Sequence, residues 1–132
     1  MILYKKRRTY KYTMVESYSR KVKIYPPNKI GNNFLYLTEE GHLFLSEGYS
    51  WDGPSGPTID TKNFMEGSLV HDALYQLIRE QYLERKHRKY ADELLREMCV
   101  NDGMSRIRAF FVYWGVRLFG KKHTKPDTLK AP

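Results

Sequence analysis

Apolar and polar positions change their rhythm near the middle of the chain. Up to about residue 50 the apolar residues come in short runs: "YKYTMV", "RKVKIY", "NFLYLT" and "HLFLS". These runs are rich in Tyr, Val, Ile and Phe and are separated by "PPNKIGNN" and "EEGH", residues that favour turns. They predict short strands, with "EEG" joining Phe34–Leu37 to His42–Leu45 as a hairpin. From Tyr49 to Gly67 the glycines and prolines predict a loop.

Beyond residue 67 the apolar spacing becomes helical. Ser68 is read as the N-cap of a helix running to about Glu80, with Leu69, Ala73, Leu74, Leu77 and Ile78 inward. "RKHRKYADELLREMCVNDG" predicts a second helix with Ala91, Leu94, Leu95 and Met98 inward, stopped by Gly103. "SRIRAFFVYWGVRLFGKK" predicts a third, capped by Ser105 and ended by Gly120. Its recurring Ile107, Phe110, Phe111, Trp114 and Leu118 are expected to face the core. The class is α+β: a small N-terminal antiparallel β-sheet followed by three C-terminal helices. A single domain over 1–122 is expected (β-rich 1–50, loop 51–67, helical 68–120), with 123–132 a flexible tail. No internal repeat is visible.

Composition narrows the class without changing this outline. At 132 residues, 41% hydrophobic and 29% charged, the chain is long enough to bury a core of its own. No run approaches the roughly 18 apolar residues of a membrane span, and the N-terminus lacks the apolar stretch of a secretory signal. The single cysteine, Cys99, cannot form an intramolecular disulfide and reads as a small buried apolar residue in a reducing compartment.

The net charge of +8 is concentrated at the ends. Residues 1–30 hold nine Lys/Arg against Glu16, residues 31–120 ten against thirteen acids, and residues 121–132 four against Asp127. "YKKRRTYKY" interleaves cations with aromatics, which suits nucleic acid or a phosphate-rich surface, or else makes a solvated strand or arm. The net acidic centre weighs against general nucleic-acid binding and leaves carboxylates that can meet a cation. "IRAFFVYWGVRLFGKKH" reads first as a core helix. Aromatics that surfaced there would dock on lipid or on a second copy of the chain.

Two segments carry candidate chemistry. In "SLVHDALYQL", His71 shares a face with Leu74, Tyr75 and Ile78, so its ring points inward and needs a partner for its N–H. Asp92, a turn inside the second helix, is the best-placed partner, and Asp72 lies about 100° around the first helix, at the edge of the apolar face. A histidine held by one carboxylate beside another suits a general base next to a cation site. The bland alternative is a buried histidine bonded to a neighbouring helix, with Asp72 on the surface.

In "GYSWDGPSGPT", Gly53 and Gly56 expose backbone carbonyls, while Pro54 and Pro57 stiffen the loop. With Asp52, Asp60 and Asp72 these are oxygen ligands of the kind calcium takes. Trp51 either plugs a tight β-to-α connection or contacts substrate. His42, His87 and His123 have no carboxylate or cysteine at metal-ligand spacing and read as surface residues.

The loop, the His-Asp pair with its following tyrosine, and the later aspartate resemble secreted phospholipases of the A-two class over about 50 residues. The resemblance implies His71 as base, Asp92 as its support, Asp72 with Asp52, Gly53 and Gly56 as the calcium site, and Tyr75 beside the substrate. Water deprotonated by His71 would then attack an ester, with calcium (or another divalent cation) stabilising the oxyanion. The lone cysteine and the β-rich half depart from that family's pattern. "GYSWDGPSGPT", "SLVHDALYQL", the later aspartate and "VRLFG" also resemble, over nearly the whole chain, short tailed-phage and prophage proteins classed as a domain of unknown function. That resemblance implies a phage-encoded protein in the host cytoplasm or the virion, with virion proteins or a second copy as partners. It implies no activity. A non-catalytic virion or host-interaction role is therefore the alternative to a hydrolase.

Overall fold

The structure is a computed structural model that describes residues 4–6, 12–51 and 62–125. The chain divides into two compact units, Met1–Gly56 and Pro57–Pro132.

The first unit is all β. Strands β1 (Tyr4–Lys6), β2 (Tyr12–Met14) and β7 (Ser50–Trp51) form one antiparallel sheet in the order β1-β2-β7. Strands β3 (Tyr18–Lys21), β4 (Ile30–Gly31), β5 (Leu35–Leu37) and β6 (His42–Leu45) form another in the order β3-β6-β5-β4. The expected N-terminal antiparallel strands are thus present, arranged as two small sheets. The expected hairpin is present, with Leu35 opposite Leu45 and Leu37 opposite Leu43. All four leucines are buried. The intervening pair, Tyr36 and Phe44, falls on the other face because side chains alternate along a strand, and their rings stack at 4.7 Å. Around β2 and β7, Tyr12, Met14, Tyr49 and Trp51 are buried, with the Tyr12 and Trp51 rings 5.4 Å apart.

The second unit is helical: α1 (Lys62–Arg79), α2 (Arg88–Asn101) and α3 (Arg106–Phe119). A 3-10 turn at Arg85–His87 leads into α2, and another at Lys121–Thr124 follows α3. Helix α1 starts at least six residues before the expected cap, so Ser68 lies in its interior with its hydroxyl donating to Met65 O. Phe64 and Met65 are buried and continue the apolar face one turn backward. Gly67, read as loop, sits where a Cβ would lie 3.1 Å from Leu95 Cδ1. Close helix packing there outweighs the roughly 1 kcal/mol that a helical glycine costs.

Helix α2 buries Ala91, Leu94, Leu95 and Met98 as expected, and Gly103, at φ +105°, stops it. Ser105 caps α3 by accepting from Arg108 N. The inward face of α3 is the main correction. Ile107, Phe111 and Leu118 are 74%, 67% and 67% exposed, and Phe110 and Trp114 are also exposed. The buried residues of α3 are instead Ala109 and Tyr113, with Val112 and Val116 half-buried. Ala109 joins Phe64, Leu95, Cys99 and Met104 in one core cluster. The helix is apolar around most of its girth, and small Ala109 permits the closer approach, so the bulkier stripe stays outside. At the other end, Thr124 is buried and Arg79 donates to His123 O, so ordered packing continues past the expected start of the tail at 123.

Candidate functional site

His71, in the middle of α1, is 7% exposed; Asp92, in the second turn of α2, is fully buried. Nε2 of His71 lies 2.7 Å from Asp92 Oδ1. An ionised carboxylate can only accept, so Nε2 carries the proton and donates. When the ring is neutral, its lone pair is therefore on Nδ1. That nitrogen faces Asp72 Oδ1 at 3.7 Å, too long for a hydrogen bond, and the carboxylate attracts the ring once Nδ1 takes up a proton; the Asp72 side chain is 34% exposed. The spacing read from the sequence, with His71 inward, Asp92 supporting it and Asp72 at the boundary, is realised.

Asp92 is also the centre of a larger network. The Tyr75 hydroxyl donates to the same oxygen at 2.5 Å, and the Tyr75 ring lies against His71 with centroids 4.0 Å apart. Arg117 Nη1, from the last turn of α3, donates to Oδ2 at 2.9 Å. Arg88 Nε donates to the Tyr75 hydroxyl at 3.1 Å, while its Nη2 donates to Val116 O and Arg117 O at 2.7 and 2.8 Å. Those carbonyls belong to the C-terminal end of α3, where a cation is favoured. One buried carboxylate thereby ties all three helices together.

The electrostatics follow from these contacts. Burial alone would lower the pKa of His71, but Asp72 and Asp92 outweigh it and the net shift is upward. For Asp92, burial acts to raise the pKa, but the hydrogen bonds from His71, Tyr75 and Arg117 reverse it and hold the carboxyl below its ordinary value. Burial, then the hydrogen bond to Asp92, pushes the Tyr75 phenol well above its ordinary range. Away from this network, burial pushes the Cys99 thiol up to about 12, which makes it an inert core residue.

The other expected site residues fare differently. Tyr75, expected beside the substrate, is buried with its hydroxyl committed to Asp92 and Arg88. Trp51 is buried within the β unit against Tyr12. Asp52, Gly53, Gly56 and Asp60 lie outside the described residues. Among the described residues, no group of three or more His, Cys, Asp or Glu side chains could hold a metal ion. His42 and His123 are exposed as expected, and His87 is half-buried.

Arg88 and Arg117 were not anticipated, although both left a trace in the sequence. Arg88 stands four residues before Asp92 on one helix, the spacing of a side-chain pair. Arg117 repeats the four-residue spacing of buried Ala109 and Tyr113, and a cation on a buried face requires a partner.

No helix among the described residues is long and apolar enough to cross a membrane. No curated protein and no solved structure matches the chain. The family described as "Protein of unknown function (DUF1353)" matches residues 29–116, which takes in the hairpin, His71, Asp72, Tyr75, Asp92 and most of α3. Since that is two thirds of its length, the chain belongs to this family.

Proposed function

We propose that the chain is a small hydrolase in which His71 acts as general base on an ester substrate. The observation that carries this reading is the 2.7 Å bond from Nε2 to buried Asp92, which fixes the ring and turns Nδ1 toward the partly exposed Asp72. A water at Nδ1 would lose its proton to the ring as its oxygen attacks the ester carbonyl. The tetrahedral intermediate would then collapse, and the imidazolium would return the proton to the departing alkoxide. The products are a carboxylic acid and an alcohol, and His71 ends as it began. Asp92 positions the ring and stabilises its positive charge, and Tyr75 and Arg117 keep Asp92 in place.

The finer parts of the proposal are a phospholipid ester as substrate, a calcium-type cation beside Asp72, and a phage or prophage origin with action in the host cytoplasm or the virion. The proton transfer itself requires only His71. Incubation with a short-chain phospholipid, with calcium or with a chelator, tests the substrate and the cation together. Free fatty acid released above the buffer background supports the reading, and its loss on chelation supports the cation. No release in either condition, from protein shown to be folded, counts against both.

The second reading is a non-catalytic virion or host-interaction protein, with virion proteins or another copy of the chain as partner. It is favoured by the completeness of the network around Asp92, which is what a purely structural hub would also look like. It predicts that changes at His71 alter melting temperature alone, and that the protein copurifies with phage particles.

A further inference from the structure

A cleft of about 380 Å³ opens in the helical unit and is lined by Arg85, Lys86, Arg88, Lys89, Arg117 and Lys121. Six cations from three segments face one space, with no acid in its lining. Asp92 lies beneath Arg88 and Arg117 and partly neutralises those two. Arg85, Lys89 and Lys121 have no acidic partner among the described residues. Glu84 sits 3.7 Å from Lys86, but both side chains are more than two-thirds exposed, so the pair contributes little.

This crowding is costly for the chain as it stands. The first turn of α2 has no acid and carries Arg88 and Lys89, where the positive end of the helix dipole disfavours cations. His87, in the turn that supplies Arg85 and Lys86, has its pKa lowered by burial first and by Lys86 next. A cleft walled by one sign of charge concentrates the field inside it and attracts ions of the other sign. Guanidinium groups match phosphate oxygens two at a time, and lysines add point charges. The volume is in the range of small-ligand sites, roughly 300–1,000 Å³.

We propose that this cleft binds the phosphate groups of a phosphorylated ligand, through Arg85, Lys89 and Lys121 together with the free edges of Arg88 and Arg117. The site does not depend on the hydrolase reading. Leu118 and Phe119 are exposed between Arg117 and Lys121, so the phosphate can come from a lipid headgroup as well as from a free phosphate compound.

The full chain is titrated with sodium tripolyphosphate, with phosphatidylglycerol vesicles and with phosphatidylcholine vesicles, each against sodium chloride of matched ionic strength. Wild type is compared with the double variant Arg85→Ser/Lys89→Ser. Both residues are exposed, so the variant keeps its fold, and its melting temperature verifies this. Tripolyphosphate is expected to raise the melting temperature of wild type, and the double variant to bind about tenfold more weakly. Cleft-dependent binding of tripolyphosphate identifies a free phosphate compound. Cleft-dependent binding to phosphatidylglycerol vesicles alone identifies a lipid headgroup, and either result supports the site. Equal effects of tripolyphosphate and matched chloride, with no vesicle binding, overturn it. So does binding that survives in the double variant, or binding lost when Lys5, Lys6, Arg7 and Arg8 are changed to Ser.

Discussion

His71 and Asp92 are 21 residues apart in the chain and 2.7 Å apart in the fold, with Nε2 of one donating to Oδ1 of the other. Asp92 also receives Tyr75 and Arg117, so one fully buried carboxylate has all its partners inside the protein. Such a charge is stable only while its partners remain, and they are stable only while it remains.

Asp92→Ala is therefore expected to be severely destabilising. It strands the ring N–H of His71, the guanidinium of Arg117 and a buried phenol, at a cost of about 3–5 kcal/mol. Urea denaturation followed by far-UV circular dichroism measures this. A loss under about 1 kcal/mol would show that water enters and solvates the network instead.

The same carboxyl sets an acid limit. Its folded pKa lies below the ordinary value of 3.8. Its contribution is thus fully present above pH 3.8 and is lost as the pH falls through the folded pKa. The stability gap between wild type and Asp92→Asn should narrow as pH drops below 3.8. A gap that widens on acidification would mean that the shift has the opposite sign.

Gly120 is held by a close approach. A Cβ there would lie 2.6 Å from Val116 O and 2.8 Å from the Tyr75 hydroxyl. Gly120→Ala should therefore cost about 1–3 kcal/mol by overpacking, and should displace Tyr75 from Asp92. The Tyr75 ring resonances would report the displacement. An alanine tolerated without change in either stability or those resonances would contradict the packing described.

The exposed stripe of α3 makes the opposite prediction. Phe111→Ser and Leu118→Ser should each change stability by no more than about 0.5 kcal/mol, as surface substitutions do. Losses of 2 kcal/mol or more, typical of a core position, would restore the inward face read from the sequence.

That helix shows where sequence pattern stops being informative. Strand runs, the hairpin at "EEG", the stop at Gly103 and the cap at Ser105 are local, and each is set by residues within a few positions. The His71–Asp92 pairing was also legible, because an inward histidine must find a partner and the next helix offered one carboxylate near its own inward face. The orientation of α3 was not, since Ile107, Phe110, Phe111, Trp114 and Leu118 compete with Ala109, Val112, Tyr113 and Val116 for the core. Periodicity marks both stripes, and only the fit against Phe64, Leu95 and Cys99 separates them. The start of α1 was missed for a related reason: Gly67 reads as a break until Leu95 and Cys99 are brought against it. The cationic cleft escaped notice because its members come from positions 85–89, 117 and 121, and only the fold gathers them.

The role of His71 is tested most directly by the rate of ester hydrolysis of wild type beside His71→Asn, each corrected for its folded fraction. An asparagine can still offer a donor toward Asp92 but has no imidazole to accept a proton. Wild type should turn over a short-chain phospholipid ester above the buffer background, and the variant should be slower by about 10²–10⁴-fold, as for the loss of a general base. Equal rates in the two folded proteins would contradict the assignment of His71 as the base.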